Sequence, residues 1–92
     1  MSETVWLVTA EIAMDGEIGF INITLWASSS QHAIERIETY FKRFDWAIVS
    51  VSRAIEADPD HDYGEENNQL LEEARANHGY IRLGTYFTYP TN

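Results

Sequence analysis

The pair Asp15-Gly16, set between two β-rich runs, constrains this chain more than any other feature in it. Asp-Gly is the favoured pair for a two-residue type I′ turn, because both loop positions need positive φ and these residues reach it with least strain. Val5 to Met14 precede the pair and Glu17 to Ala27 follow it, both rich in residues that suit a pleated, half-buried surface. A two-residue loop fixes the register: Trp6 faces Leu25, Val8 faces Ile23, Ala10 faces Ile21 and Ile12 faces Gly19. One whole face of the hairpin is apolar in that register, and a slip by one residue would mix the faces.

Ser28-Ser29-Ser30 follow as an N-cap cluster, and Ala33, Ile34, Ile37, Phe41 and Phe44 then recur at helical spacing. Glu35, Arg36, Glu38, Lys42 and Arg43 fall on the other faces, so an amphipathic helix of about four turns is predicted. Trp46 to Ile55 read as a third strand, laid parallel to the second by the helical crossover. After a loop at Ala57 to Gly64, residues Glu65 to Asn77 form a weaker helix with Leu70, Leu71 and Ala74 as its apolar stripe, stopped at His78-Gly79. Tyr80 to Tyr89 alternate as a fourth strand with Ile81, Leu83 and Phe87 on one face, ended by Pro90. The order β-β-α-β-α-β predicts an α+β fold: a two-layer sandwich of a four-stranded mixed sheet with two helices on one face. Residues 1–92 make one domain, and 45% hydrophobic residues supply its core.

In such a sandwich the second sheet face is open. It would carry Val5, Leu7, Thr9 and Glu11, then Phe20, Asn22, Thr24 and Trp26, and from the last strand Tyr80, Arg82, Tyr86 and Thr88. An apolar patch of this kind on a small domain marks an interface or a ligand groove. The expectation is a homodimer in which Val5, Leu7, Phe20, Trp26 and Tyr86 carry self-association.

Charge is concentrated in one segment. Glu56, Asp58, Asp60, Asp62, Glu65, Glu66, Glu72 and Glu73 lie within eighteen positions that hold no Lys or Arg, and they supply eight of the nine net negative charges. These eight form the candidate docking surface for a basic protein partner, since a local field of one sign steers an oppositely charged one. The same charge argues against nucleic acid and anionic membranes, both of which need Lys and Arg.

The segment Asp58-Pro59-Asp60-His61-Asp62-Tyr63-Gly64 begins like a calcium loop. Its sixth position is Tyr63 and its twelfth Gln69, where such a loop needs Gly and a bidentate carboxylate, so the run reads as an acidic turn before a helix and no metal is expected. His32, His61 and His78 have no HxH or HExxH spacing. With no cysteine, thiolate metal sites, disulfides and cysteine nucleophiles are excluded. Ser28, Ser29 and Ser30 lack a nucleophile elbow, and the five glycines are too isolated for a phosphate loop. No catalytic residue and no cofactor is expected. The N-terminus shows no basic start or apolar run of a signal peptide and no long apolar stretch follows, so the cytoplasm is the expected compartment. These features imply a small, acidic, non-enzymatic interaction module, in the manner of an inhibitor or immunity-type adaptor. The competing class is a small-molecule-binding domain or enzyme subunit with an aromatic pocket on the open sheet face.

Overall fold

The structure, a computed structural model, describes residues 2–89 and is built on the hairpin. Strands β1 (Thr4–Met14) and β2 (Glu17–Ala27) pair antiparallel over their full length, with Trp6 opposite Leu25, Val8 opposite Ile23 and Met14 opposite Glu17. Asp15 at φ 53° and Gly16 at φ 83° make the turn, so the register follows from the turn chemistry as expected.

Helix α1 spans Ser30–Lys42. Extended Ser29 caps it, its hydroxyl accepting the His32 N–H at 3.1 Å, and Ala33, Ile37 and Phe41 are buried along one stripe. That stripe meets Val8, Ala10, Ile12, Ile21, Ile23, Leu25 and Ala27, the apolar face of the hairpin. Strand β3 (Ala47–Glu56) returns along the outer edge of β1 and antiparallel to it. It therefore runs parallel to β2 in direction, as the crossover predicts, with β1 lying between the two. The register of β3 shifts twice, between Thr9/Ala10 and between Glu11/Ile12, and the Ser52 hydroxyl donates to the Thr9 carbonyl at 3.0 Å beside one shift. Such irregularities twist an edge strand and blunt it against further pairing.

The α+β class and the order of elements are those expected. Three details differ. All four strand pairings are antiparallel, so the sheet is not mixed, and its order is β3-β1-β2-β4. The last strand is interrupted: β4 (Arg82–Leu83) and β5 (Phe87–Thr88) both pair with β2. From the pair Ile23/Leu83 to the pair Phe20/Phe87, β2 moves three residues and the C-terminal segment four. That extra residue turns Phe87 to the face opposite Leu83 and leaves Tyr86 packed on the α1 side. The expected stop at Pro90 lies outside the described residues.

The third difference concerns layers. Helix α2 (Glu65–Ala76) packs Leu71 and Ala74 on Val5 and Leu7, with Trp26 and Ile55 alongside. In a strand, Val5 and Leu7 point away from Val8 and Ala10, so α2 covers the face opposite α1. The protein is a sheet between two helices, with no two-layer sandwich and no wholly open face. The physical reason is space: α1 already fills the first face, and the second bears apolar residues that a short stripe on α2 matches.

Candidate functional site

The acidic loop is held by its own polar groups. The Asp58 carboxylate accepts the Asp60 N–H at 2.9 Å, and the Tyr63 hydroxyl accepts the Asp58 N–H at 3.0 Å. One Asp62 oxygen accepts both the Gly64 N–H and the Asn68 side-chain amide, each at 2.9 Å. The bond from Gly64 first, then that from Asn68, holds the Asp62 carboxyl below its ordinary range. Gly64, at φ 98°, occupies the N-cap of α2, where no side chain caps; Asp62 orders the turn before the helix instead of capping it. Asn68 returns the contact by accepting the Tyr63 N–H at 3.0 Å.

This bracing folds the loop back along the outer side of α2 and leaves a groove of about 660 Å³. Asp58, Asp60, Asp62, Glu65 and Glu72 line it, with Arg75 and His61 as its only groups able to carry positive charge. Five of the eight predicted carboxylates thus converge. The other three do not: Glu56 ends β3, while Glu66 and Glu73 turn toward the C-terminal strand. Glu66 accepts the Thr85 N–H at 3.0 Å and the Thr85 hydroxyl at 2.7 Å, bonds that in that order lower its pKa, and Glu73 pairs with Arg82 at 2.5 Å. Sequence spacing could have separated them, because Glu65, Glu72 and Asn68 share one side of a 3.6-residue period and Glu66 and Glu73 the next. Among the described residues no group of three or more His, Asp or Glu is placed to hold a metal ion.

The predicted self-association residues are dispersed. Val5 and Leu7 are 6% and 0% exposed beneath α2 and are core, a correction that follows from the position of that helix. Trp26 is half-buried, its indole N–H donating to the Ala74 carbonyl at 2.6 Å, so it anchors the C-terminal end of α2. Tyr86 lies on the α1 side and donates its hydroxyl to the Glu17 carbonyl; burial first, then Glu17 and Asp15, raise its pKa. Phe20 alone stays on open sheet surface. It stacks on Phe87 with ring centres 5.2 Å apart and approaches Tyr89 at 6.2 Å. Ile18, Phe20, Phe87 and Tyr89 are each between 37% and 50% exposed, forming an apolar strip near the hairpin turn. Ile18 was legible from its spacing of two from Phe20; Phe87 was hidden by the extra residue before it. Beside the strip the Tyr89 hydroxyl donates to Glu11 at 2.6 Å, a bond that raises the Tyr89 pKa, and Arg53 reaches the Thr9 hydroxyl.

A second groove, of about 700 Å³, runs between α1 and the segment Gly79 to Arg82, and it includes His32, Arg36, Tyr40, Arg43 and Tyr80. Among the described residues no helix is long and apolar enough to cross a membrane. The chain matches no family model, and no curated protein or solved structure is significantly similar to it.

Proposed function

We propose that this protein is a small non-enzymatic interaction module, working in the cytoplasm, that docks a basic segment of a partner protein in the groove between the acidic loop and α2. The observation that carries the reading is the convergence of Asp58, Asp60, Asp62, Glu65 and Glu72 on one concave surface. Asp58 and Asp62 spend hydrogen-bonding capacity on the loop, whereas Asp60, Glu65 and Glu72 have no hydrogen bond or ion pair from their carboxylates among the described residues. A division of this kind fits docking: two carboxylates hold the shape and three meet the partner's Lys or Arg. A second copy pairs through the strip at Phe20, because aromatic anchors dominate interfaces and this is the sheet surface that α2 leaves uncovered.

The test compares two variants of equal charge. One carries Asp60→Asn, Glu65→Gln and Glu72→Gln in the groove; the other carries Glu17→Gln, Glu35→Gln and Glu38→Gln elsewhere. A short Lys/Arg-rich peptide titrated at low salt should bind the parent and the second variant alike and the first at least about tenfold more weakly, since charge-assisted bonds are each worth about 1.5–3 kcal/mol. Equal weakening of both variants would reduce the groove to net charge and end the docking proposal. For the dimer, sedimentation should show Phe20→Glu as a monomer and the parent as a dimer; a monomeric parent at high concentration removes that part.

A further inference from the structure

The groove on the α1 side has the opposite character to the acidic one. The chain has six Lys and Arg against fifteen Asp and Glu, yet three of those six, Arg36, Arg43 and Arg82, line this one groove with a single carboxylate, Glu35, among its walls. Arg82 is compensated by Glu73. Arg36 donates to the Trp26 carbonyl, a neutral partner that holds the guanidinium in place without cancelling its charge. Arg43 makes no ion pair among the described residues. Arg36 and Tyr40 of α1 and Arg43 at its C-cap stand at i, i+4 and i+7, so all three share one face of the helix. Across the groove Tyr80, 57% exposed, supplies a second ring. His32 adds a donor: its Nδ1 accepts the Ser28 N–H at 3.0 Å, which leaves the neutral ring's proton on Nε2.

We infer that this groove is a binding site for a small aromatic anion, an aryl phosphate or aryl carboxylate, with its acid group on Arg43, the guanidinium left free of partners among the described residues, and its ring against Tyr40 and Tyr80. A guanidinium recognises planar or tetrahedral oxyanions through its paired N–H donors, and two aromatic walls favour a flat ring over an aliphatic chain. The size of the ligand follows from the whole molecule: at net charge −9 a polyanion is repelled before it reaches the groove, whereas a compact anion is paired locally and screened beyond. The site is independent of the acidic groove, which lies on the opposite face of the sheet.

Phenyl phosphate, benzoate and inorganic phosphate should be titrated calorimetrically in parallel. Phenyl phosphate or benzoate should bind saturably and at least about tenfold more tightly than inorganic phosphate, the difference reporting the aromatic walls. Arg43→Gln, a change at an exposed helix end that leaves the fold intact, should weaken binding by about tenfold or more, as loss of a charge-assisted contact does. Arg53→Gln removes the same charge from the far edge strand and should leave affinity within about twofold of the parent. Bound ligand should move the amide resonances of Gly79 and Ile81, which a nonspecific charge effect would not single out. The inference fails if neither aromatic anion saturates, if inorganic phosphate binds as well as both, if Arg53→Gln weakens binding as much as Arg43→Gln, or if a single-stranded oligonucleotide binds more tightly than either aryl anion.

Discussion

The two faces of the sheet are covered by helices of similar length that are held in different ways. On the α1 side the contact is mainly apolar: Ala33, Ile37 and Phe41, all fully buried, lie on seven hairpin residues between 0% and 2% exposed, with the Arg36 bond to the Trp26 carbonyl as a polar tie. Helix α2 also buries three residues, Leu70, Leu71 and Ala74, but the sheet patch beneath it is smaller, with Val5 and Leu7 as its buried apolar strand residues, and polar ties add to the attachment. The Thr24 hydroxyl, fully buried, donates to the Leu70 carbonyl at 2.9 Å, Trp26 to the Ala74 carbonyl, and Thr85 to Glu66. Apolar burial is non-directional and large, roughly 1.5–3 kcal/mol for each full side chain, whereas a net hydrogen bond adds only about 0.5–1.5 kcal/mol. On these magnitudes α1 belongs to the folding core, and α2, which carries the acidic groove, is the element expected to open first.

The largest effect should therefore come from the α1 face. Phe41→Ala removes a fully buried ring that also meets Trp46 edge-on at 5.5 Å, and should cost about 3–5 kcal/mol, a large part of the stability of a domain this small. Chemical denaturation followed by circular dichroism would measure it. A cost comparable to an exposed-site change would mean that α1 is not the core helix.

Leu71→Ala makes the matching deletion on the other face and should cost about 2 kcal/mol, the low end for buried leucines, because Leu71 projects from α2 onto a small patch of sheet and also borders the acidic groove. Its amide-exchange signature matters more than its size. Amides of α2 should lose protection while those of β1 and β2 keep theirs, and equal loss in both would show that the two helices unfold as one unit. Trp26→Phe keeps the packing and removes the indole donor. The Ala74 carbonyl is one of the last four of α2 and has no partner within the helix; it would retain only the Asn77 N–H at 3.2 Å, so the change should cost about 1 kcal/mol, visible as a lower melting temperature.

The same division explains what could be seen in the sequence. The hairpin and α1 were legible because several signals agree there: turn chemistry at Asp15-Gly16, alternation over eleven-residue strands, a serine cap and a helical apolar stripe. The side to which α2 goes was not legible, because its three-residue stripe fits any small apolar surface and the ties that place it are polar contacts distant in sequence, Thr24 to Leu70 and Glu66 to Thr85. The aromatic residues expected on an open face were the sign of that missing cover. At the C-terminal strand the failure was one of register, since alternation cannot show the single extra residue between Leu83 and Phe87. In the candidate site, the charge run was visible in the sequence. Which carboxylates face the groove and which brace the fold depends on the partners they meet.

The smallest predicted effect separates the two faces by pH. Glu66 and Asp62 both sit at the α2 attachment, and hydrogen bonds from the Thr85 and Gly64 N–H groups respectively depress their pKa values. A carboxylate whose folded pKa lies below its unfolded one adds stability that is present above the unfolded pKa and is lost as pH falls through the folded one. Acid should therefore loosen α2 before α1. Protonation also relieves the general repulsion of a chain at −9, so the clean measurement is a difference: parent against Glu66→Gln, which cannot titrate at that position. The parent's advantage in melting temperature should be greatest near neutral pH, shrink as pH falls through the ordinary carboxylate range and vanish once Glu66 is protonated in both folded and unfolded chains. The indole N–H resonance of Trp26, which reports α2 docking, should shift over that range while that of Trp6, which donates to the Ala27 carbonyl on the α1 side, stays in place. Simultaneous movement of both tryptophans would show that acid unfolds one cooperative unit, and the distinction between an apolar face and a polar-tied face would then describe the packing without governing the stability.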